Sequence, residues 1–273
     1  MSARPLLELN DATVVKNGVR VLDGLSLTIA EGEHSAILGP NGPGKTALIH
    51  LLTHDHYPLA REGESPVRVL GRDRWVVQEL RSSLGIVTSD LHHQFIEGHS
   101  AGRIRGLDAV VSGLFATRGF LYGFDVTEAM RERARTSLAR VEAAHLADRR
   151  LDEMWTGEAR RILIARALVT EPRAPILDEP TTGLDIVARG RFLSFMRRIA
   201  QQGTTIVLIT HHVEEIVPEI DRVVLLQRGR IAADGPKAAI LSPARLSDLF
   251  GAPVTLDRVD GFFYARSTAS ERS

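Results

Sequence analysis

The hydrophobic pattern changes period several times along the chain. Leu6–Leu9, Val19–Leu22 and Leu25–Ile29 are short β-compatible runs, with the turn signals Asn10-Asp11, Asn17-Gly18 and Asp23-Gly24 between them. His34–Leu38 predicts another strand, followed by the glycine-rich stretch Gly39–Gly44 and a helical run, Thr46–Leu52. From about Ser89 to Arg150 the texture turns helical. Val126, Met130, Ala134, Leu138 and Val141 recur near the helical period within Val126–His145, with Arg and Glu between them. A helix over Arg160–Val169 then leads to a strand at Pro175–Leu177. A helix over Arg189–Gln202 leads to a strand at Thr204–Thr210, and Val223–Gln227 and Arg230–Ala232 flank a turn at Arg228-Gly229. Strands alternating with helices predict an α/β fold with a mainly parallel sheet, an N-terminal antiparallel β subdomain and an inserted helical subdomain. The polar segment Ser267–Ser273 is expected to fray.

Composition narrows the chemistry. The 273 residues carry 34 Lys+Arg against 34 Asp+Glu, so neutrality argues against generic binding to nucleic acid, which needs a basic surplus. With no cysteine, disulfides, thiolate metal sites and cysteine nucleophiles are excluded. Met1–Leu9 has no long apolar segment behind a basic start, so no signal peptide is expected. No apolar run approaches the ~20 residues that span a bilayer; Asp108–Phe124 comes nearest, and Arg118 and three glycines interrupt it.

One loop concentrates the candidate chemistry. Gly39, Pro40, Asn41, Gly42, Pro43, Gly44, Lys45 and Thr46 match G-x-x-x-x-G-K-[ST] between a predicted strand and a predicted helix. Such a loop curls so that backbone N–H groups converge on phosphate oxygens, with the positive end of the helix behind them. Lys45 would bridge the β- and γ-phosphates, and the Thr46 hydroxyl would ligate Mg²⁺. Pro43 has no N–H, which removes one donor and weakens phosphate binding at most.

A second group of acids lies further along. Pro175–Leu177 is a short apolar strand running into Asp178, Glu179 and Pro180. Asp178 is placed to hold Mg²⁺ through water, and Glu179 to polarise the attacking water. His211 directly follows the strand Thr204–Thr210, at the end where α/β sheets gather their ligands. It could hydrogen-bond the γ-phosphate or the attacking water.

Together these motifs resemble the ATP-binding cassette family of ATPases, with a P-loop NTPase core, over roughly Leu6–Gly251. Gly39–Thr46 resembles its Walker A loop, Ile176–Glu179 its Walker B strand, Thr182–Asp185 its D-loop, and His211 its switch histidine. Met154, Trp155, Thr156, Gly157 and Glu158 occupy the signature position, usually Leu-Ser-Gly-Gly-Gln. Ala36–Thr46, Gly85–Leu91 and Thr210–Pro218 look most like the branch associated with molybdate and iron-complex uptake. The resemblance implies an ATP-binding domain over 1–251, a helical subdomain over about 89–158 and a C-terminal extension over 252–273. It implies two such subunits sandwiching two ATPs with Mg²⁺, each ATP between one chain's phosphate loop and the other's signature. It also implies a transmembrane permease partner, which would place the chain in the cytoplasm at the inner face of the membrane. A cytosolic nucleotide-dependent switch with little turnover is the alternative.

Three positions depart from the family pattern. Trp155 stands where the signature serine hydroxyl would reach the partner's γ-phosphate, and offers only an indole N–H on a larger ring. Ser89 stands at the Q-loop glutamine and is too short to reach the metal in the same way. No aromatic precedes Tyr57 to stack on adenine, which leaves Val14, Val15 or Val21 as an apolar surface. The Arg-rich segments (Arg131, Arg133, Arg135, Arg149, Arg150, Arg160 and Arg161) are interleaved with acids and predict a solvated, ion-paired helical face rather than a nucleic-acid site.

Overall fold

A computed structural model describes residues 4–60, 63, 65–88, 104–117, 121 and 123–267. Ser89 and the first part of the expected helical insertion lie outside the described residues, as do residues 268–273 of the expected frayed tail. The chain divides into two compact units, Met1–Trp75 with Ile199–Ser273, and Val76–Arg198.

The first unit opens with β1 (Pro5–Lys16) and β2 (Val19–Ala30), paired antiparallel. Leu25, Leu27 and Ile29 are buried while Ser26 and Thr28 face out, the period of two that a half-buried strand requires. Only one of the three turn signals is a turn: Asn17 and Gly18, at φ 52° and 78°, make the two-residue hairpin. The other two are bulges, so the separate strands expected on either side of Asp23-Gly24 are one. Between the Leu9–Leu27 and Ala12–Leu25 pairs β1 holds the extra residue, and between Ala12–Leu25 and Val14–Leu22 β2 holds it, so the two offsets cancel. Gly24 takes φ 63° there, and a Cβ on it would come within 2.7 Å of Asp11 Oδ1. β3 (Ser35–Leu38), buried at all four positions, runs into α1 (Pro43–Leu52); β4 (Val67–Val69) pairs antiparallel with β1.

The second unit is built on helices. α2 (Val77–Leu84) leads to the two-residue strand β5 (Ile86–Val87). α3 (Gly106–Val111) and α4 (Glu128–Arg140) flank α5 (Thr156–Leu168), which buries residues on most of its circumference and so sits centrally. Thr127 caps α4, its hydroxyl accepting from the Met130 N–H. The expected helix Val126–His145 is therefore shorter, running from Glu128 to Arg140, with a separate 3₁₀ turn at Ala144–Leu146. β6 (Ile176–Asp178) pairs parallel with β5, starting one residue after Pro175, which cannot donate to a ladder. α6 (Ile186–Gln201) follows, its last three residues belonging to the first unit.

The chain then completes the first unit. β7 (Val207–Thr210) and β8 (Arg222–Gln227) pair parallel on either side of β3, and β9 (Arg230–Pro236) pairs antiparallel with β8. α7 (Pro243–Phe250) precedes a hairpin of β10 (Val254–Val259) and β11 (Phe262–Ser267). Among the described residues, no helix is long and apolar enough to cross a membrane.

Candidate functional site

Within the first unit, parallel pairing of β3 and β7 puts Leu38 opposite Thr210, so Gly39 and His211 leave neighbouring strands at the same end. The Gly39 N–H donates to the Thr210 carbonyl at 3.1 Å, tying the start of the phosphate loop to the strand end that carries His211. Gly39 is required by crowding, since a Cβ there would come within 2.3 Å of the Leu226 carbonyl oxygen on β8. Lys45, only 5% exposed, folds its ammonium back onto the loop and donates to the carbonyls of Gly39 at 2.9 Å and Pro40 at 2.8 Å. Thr46 is exposed one residue further on.

Pro43 is less discordant than its missing N–H suggests. It occupies the first turn of α1, where its fixed φ suits the helix and an intrahelical N–H bond is not expected. Gly42 supplies no side-chain cap, and the N–H groups of Gly44 and Lys45 lie in the first turn of α1, at the positive end of the helix. Of the three valines weighed as an apolar surface, Val14 and Val21 are buried within the sheet and Val15 is exposed.

The second unit gathers the other candidates. Asp178 ends β6 and is largely buried; Glu179 follows in the left-handed region at φ 45°. Both are gripped from α5 by Arg160, which donates to the carbonyls of Asp178 at 3.0 Å, Glu179 at 2.7 Å, Pro180 at 3.2 Å and Thr88 at 3.5 Å. Arg160 is 3% exposed, which corrects the expectation that it belongs to a solvated arginine face. It lies on the buried side of α5, which its place in the run Glu158-Ala159-Arg160-Arg161 does not reveal. The solvated reading holds for Arg135, which pairs with Glu128 at 2.7 Å and Glu132 at 3.0 Å, and for Arg150 with Asp152.

Trp155 is the N-cap residue of α5 and is 80% exposed. Its side chain has no acceptor for the N–H groups of the first turn. Glu158 partly compensates, accepting from the Trp155 N–H at 3.0 Å while its other oxygen pairs with Arg149 at 2.9 Å. Asp185 caps α6, its Oδ1 accepting from the Val187 and Ala188 N–H groups at 2.8 Å each. The turn Trp155–Gly157 and the segment Gly183–Asp185 border one groove of about 370 Å³ in this unit, with Phe192 and Phe195 among its apolar lining.

A strand, a glycine-rich loop ending in lysine and threonine, and a helix that begins within it make the arrangement of the P-loop class of nucleotide-binding proteins. The family profile described as ABC transporter matches residues 22–182, more than half of the chain. The chain belongs to the ABC transporter family. Subunits of this class bind and hydrolyse ATP in pairs and drive transport through a separate permease, and this chain is one of them. It is 34% identical to the uncharacterized ABC transporter ATP-binding protein YlmA of Bacillus subtilis, over 91% of this chain and 92% of that one. To the cobalt import ATP-binding protein CbiO of Rhodobacter capsulatus it is 33% identical, over 82% and 76% of the two chains. A solved structure of cbiO1 from Clostridium perfringens, part of the ABC transporter complex cbiONQ, superposes with a TM-score of 0.72 at 26% identity, over 90% of this chain and 94% of that chain.

Proposed function

We propose that ATP binds with its phosphates in the Gly39–Thr46 loop, and that hydrolysis uses Glu179 to orient or deprotonate water and His211 to contact the γ-phosphate. The observation that carries this reading is the Gly39-to-Thr210 hydrogen bond, because it keeps the phosphate loop and the strand end of His211 side by side. Lys45 supplies a compact ammonium, and the N–H groups of Gly44 and Lys45 supply donors, so charge developing on the phosphates meets fixed dipoles. The Thr46 hydroxyl and the Asp178 carboxylate are hard oxygen donors of the kind Mg²⁺ accepts while keeping several waters. Those two residues would hold the metal, which would neutralise phosphate charge when bound.

In this reading residues 1–251 form the ATP-binding domain, with the helical subdomain over about 89–158. Trp155, Thr156, Gly157 and Glu158 face the nucleotide of a partner subunit, and Asp185 lies beside them. The exposed N-terminus of α5 and the backbone N–H of Gly157 support that role, while Trp155 lacks the hydroxyl and slows turnover. The subunit would sit in the cytoplasm, held at the inner face of the membrane by its permease. Likeness to a cobalt import protein makes metal-ion cargo the first class to test. The decisive comparison is ATP turnover of the wild type and Glu179→Gln at saturating ATP and Mg²⁺. Loss of turnover with nucleotide binding retained is expected; equal rates remove Glu179 from the chemistry.

A further inference from the structure

The segment after His211 is held from two sides. Inwardly, Thr210 is a junction: its carbonyl accepts from the Gly39 N–H, its hydroxyl donates to the fully buried Glu215 carboxylate, and that hydroxyl also accepts from the His212 N–H at 2.9 Å. The rings of His211 and His212 lie 3.9 Å apart between centroids. Outwardly, Glu214 on the same one-turn 3₁₀ segment, Val213–Glu215, accepts from the Ala265 N–H of β11 at 3.2 Å. The β10–β11 turn lies against the same stretch: a Cβ on Gly261 would come within 3.1 Å of Pro218 Cγ. Phe263 of the hairpin is buried, so the hairpin is packed rather than loose.

We propose that Glu214 is a positioning residue for His211, through which the C-terminal hairpin sets where the imidazole stands relative to the phosphate loop. Adjacent carboxylates divide the work, Glu215 fastening the turn to the strand end and Glu214 fastening it to the hairpin. The turn is too short to absorb a shift at Glu214 without moving His212, whose N–H is bonded to Thr210. The His211 ring, tilted 39° against that of His212 and in contact with it, then moves with its neighbour. The hairpin is thereby a handle: whatever pulls on β11 pulls on the switch histidine. This inference rests on the reading of His211 as the γ-phosphate contact, and the test separates the two.

The readouts are steady-state ATP turnover and the Cε1–H NMR signal of His211, assigned with His211→Ala. Glu214→Ala is expected to lower kcat about fivefold with KM for ATP unchanged, on the scale of one lost hydrogen bond. The His211 signal should shift or broaden, and Glu214→Gln, which keeps an acceptor for the Ala265 N–H, should restore both. In a His211→Ala background Glu214→Ala should leave kcat where it is. A His211 signal unchanged by Glu214→Ala overturns the positioning role, whatever happens to turnover. If the signal moves while His211→Ala leaves kcat intact, positioning stands and the catalytic reading of His211 is what fails.

Discussion

Arg160 offers a direct test of how the second unit is held together. Its guanidinium meets four backbone carbonyls around the end of β6, those of Asp178, Glu179, Pro180 and Thr88, at 2.7 to 3.5 Å. Replacing it by methionine keeps much of the volume and removes every donor. Hydrogen bonds to a charged group contribute about 1.5–3 kcal/mol each when taken singly. The four share one group and are not additive, and removing the buried charge also relieves its desolvation. A loss of about 3–5 kcal/mol follows, within the upper range for single substitutions. At roughly 2–4 °C per kcal/mol for a chain of this size, the expected fall in Tm is about 10 °C. Lysine should recover only part of it, since one ammonium cannot reproduce the planar fork. Because Glu179 holds a left-handed φ of 45° and its carbonyl accepts from the Arg160 guanidinium, turnover should fall more than tenfold at temperatures where the variant is still folded. Thermal unfolding followed by circular dichroism, with ATP turnover measured well below Tm, gives both numbers. A methionine variant within about 2 °C of the wild-type Tm and with unchanged kcat would refute the clamp.

The other expectations concern separate parts of the fold. Trp155→Ser should raise Tm modestly, by the ~0.5–2 kcal/mol that a serine N-cap contributes, and should raise ATP turnover; unchanged turnover would show that Trp155 does not limit hydrolysis. Gly39→Ala should abolish tight nucleotide binding in calorimetry and lower Tm, because the new methyl would overlap the Leu226 carbonyl; wild-type affinity would contradict the geometry. His34 accepts from the Ile206 N–H through Nδ1 and burial pushes its pKa below the usual 6.5, so folding favours the neutral ring. Its contribution is then complete above about pH 6.5 and is lost as the pH falls below that value through the lowered pKa. His54 and His56 are shifted the same way by burial. Tm should therefore drop between pH 7.5 and 5.5, and His34→Asn, which keeps an acceptor but does not titrate, should flatten the drop.

Much of the architecture could be read from the sequence where one signal dominated. The phosphate loop lay between a strand and a helix as its chemistry demands, and His211 stood at a strand end. Asn-Gly and Asp-Gly pairs were more ambiguous: Asn17-Gly18 makes a turn, while Gly24 of Asp23-Gly24 supplies a positive φ to a bulge, and only the partner strand decides between them. The β10–β11 hairpin was missed although Asp260-Gly261 was visible as a turn pair, because Val254–Val259 alternates too weakly to read as a strand. Arg160 was placed on the surface by composition; its burial depends on β6 lying against α5, which no local pattern encodes. The candidate chemistry was legible as residue types, but the bonds that hold it, from Arg160, Thr210 and Glu214, were not.

The solvent-exposed cap of α5 has a spectroscopic consequence. The protein has two tryptophans, one in each unit. The Trp75 indole donates to the Val69 carbonyl at 3.0 Å and lies under the Arg72 guanidinium, whereas Trp155 stands in water. The two fluorophores therefore emit from unlike surroundings, the second at longer wavelength and open to collisional quenchers. A partner that covers the head of α5 would shift that emission to the blue and shield it from iodide, so Trp155 would report, without any label, whether the proposed signature contact forms.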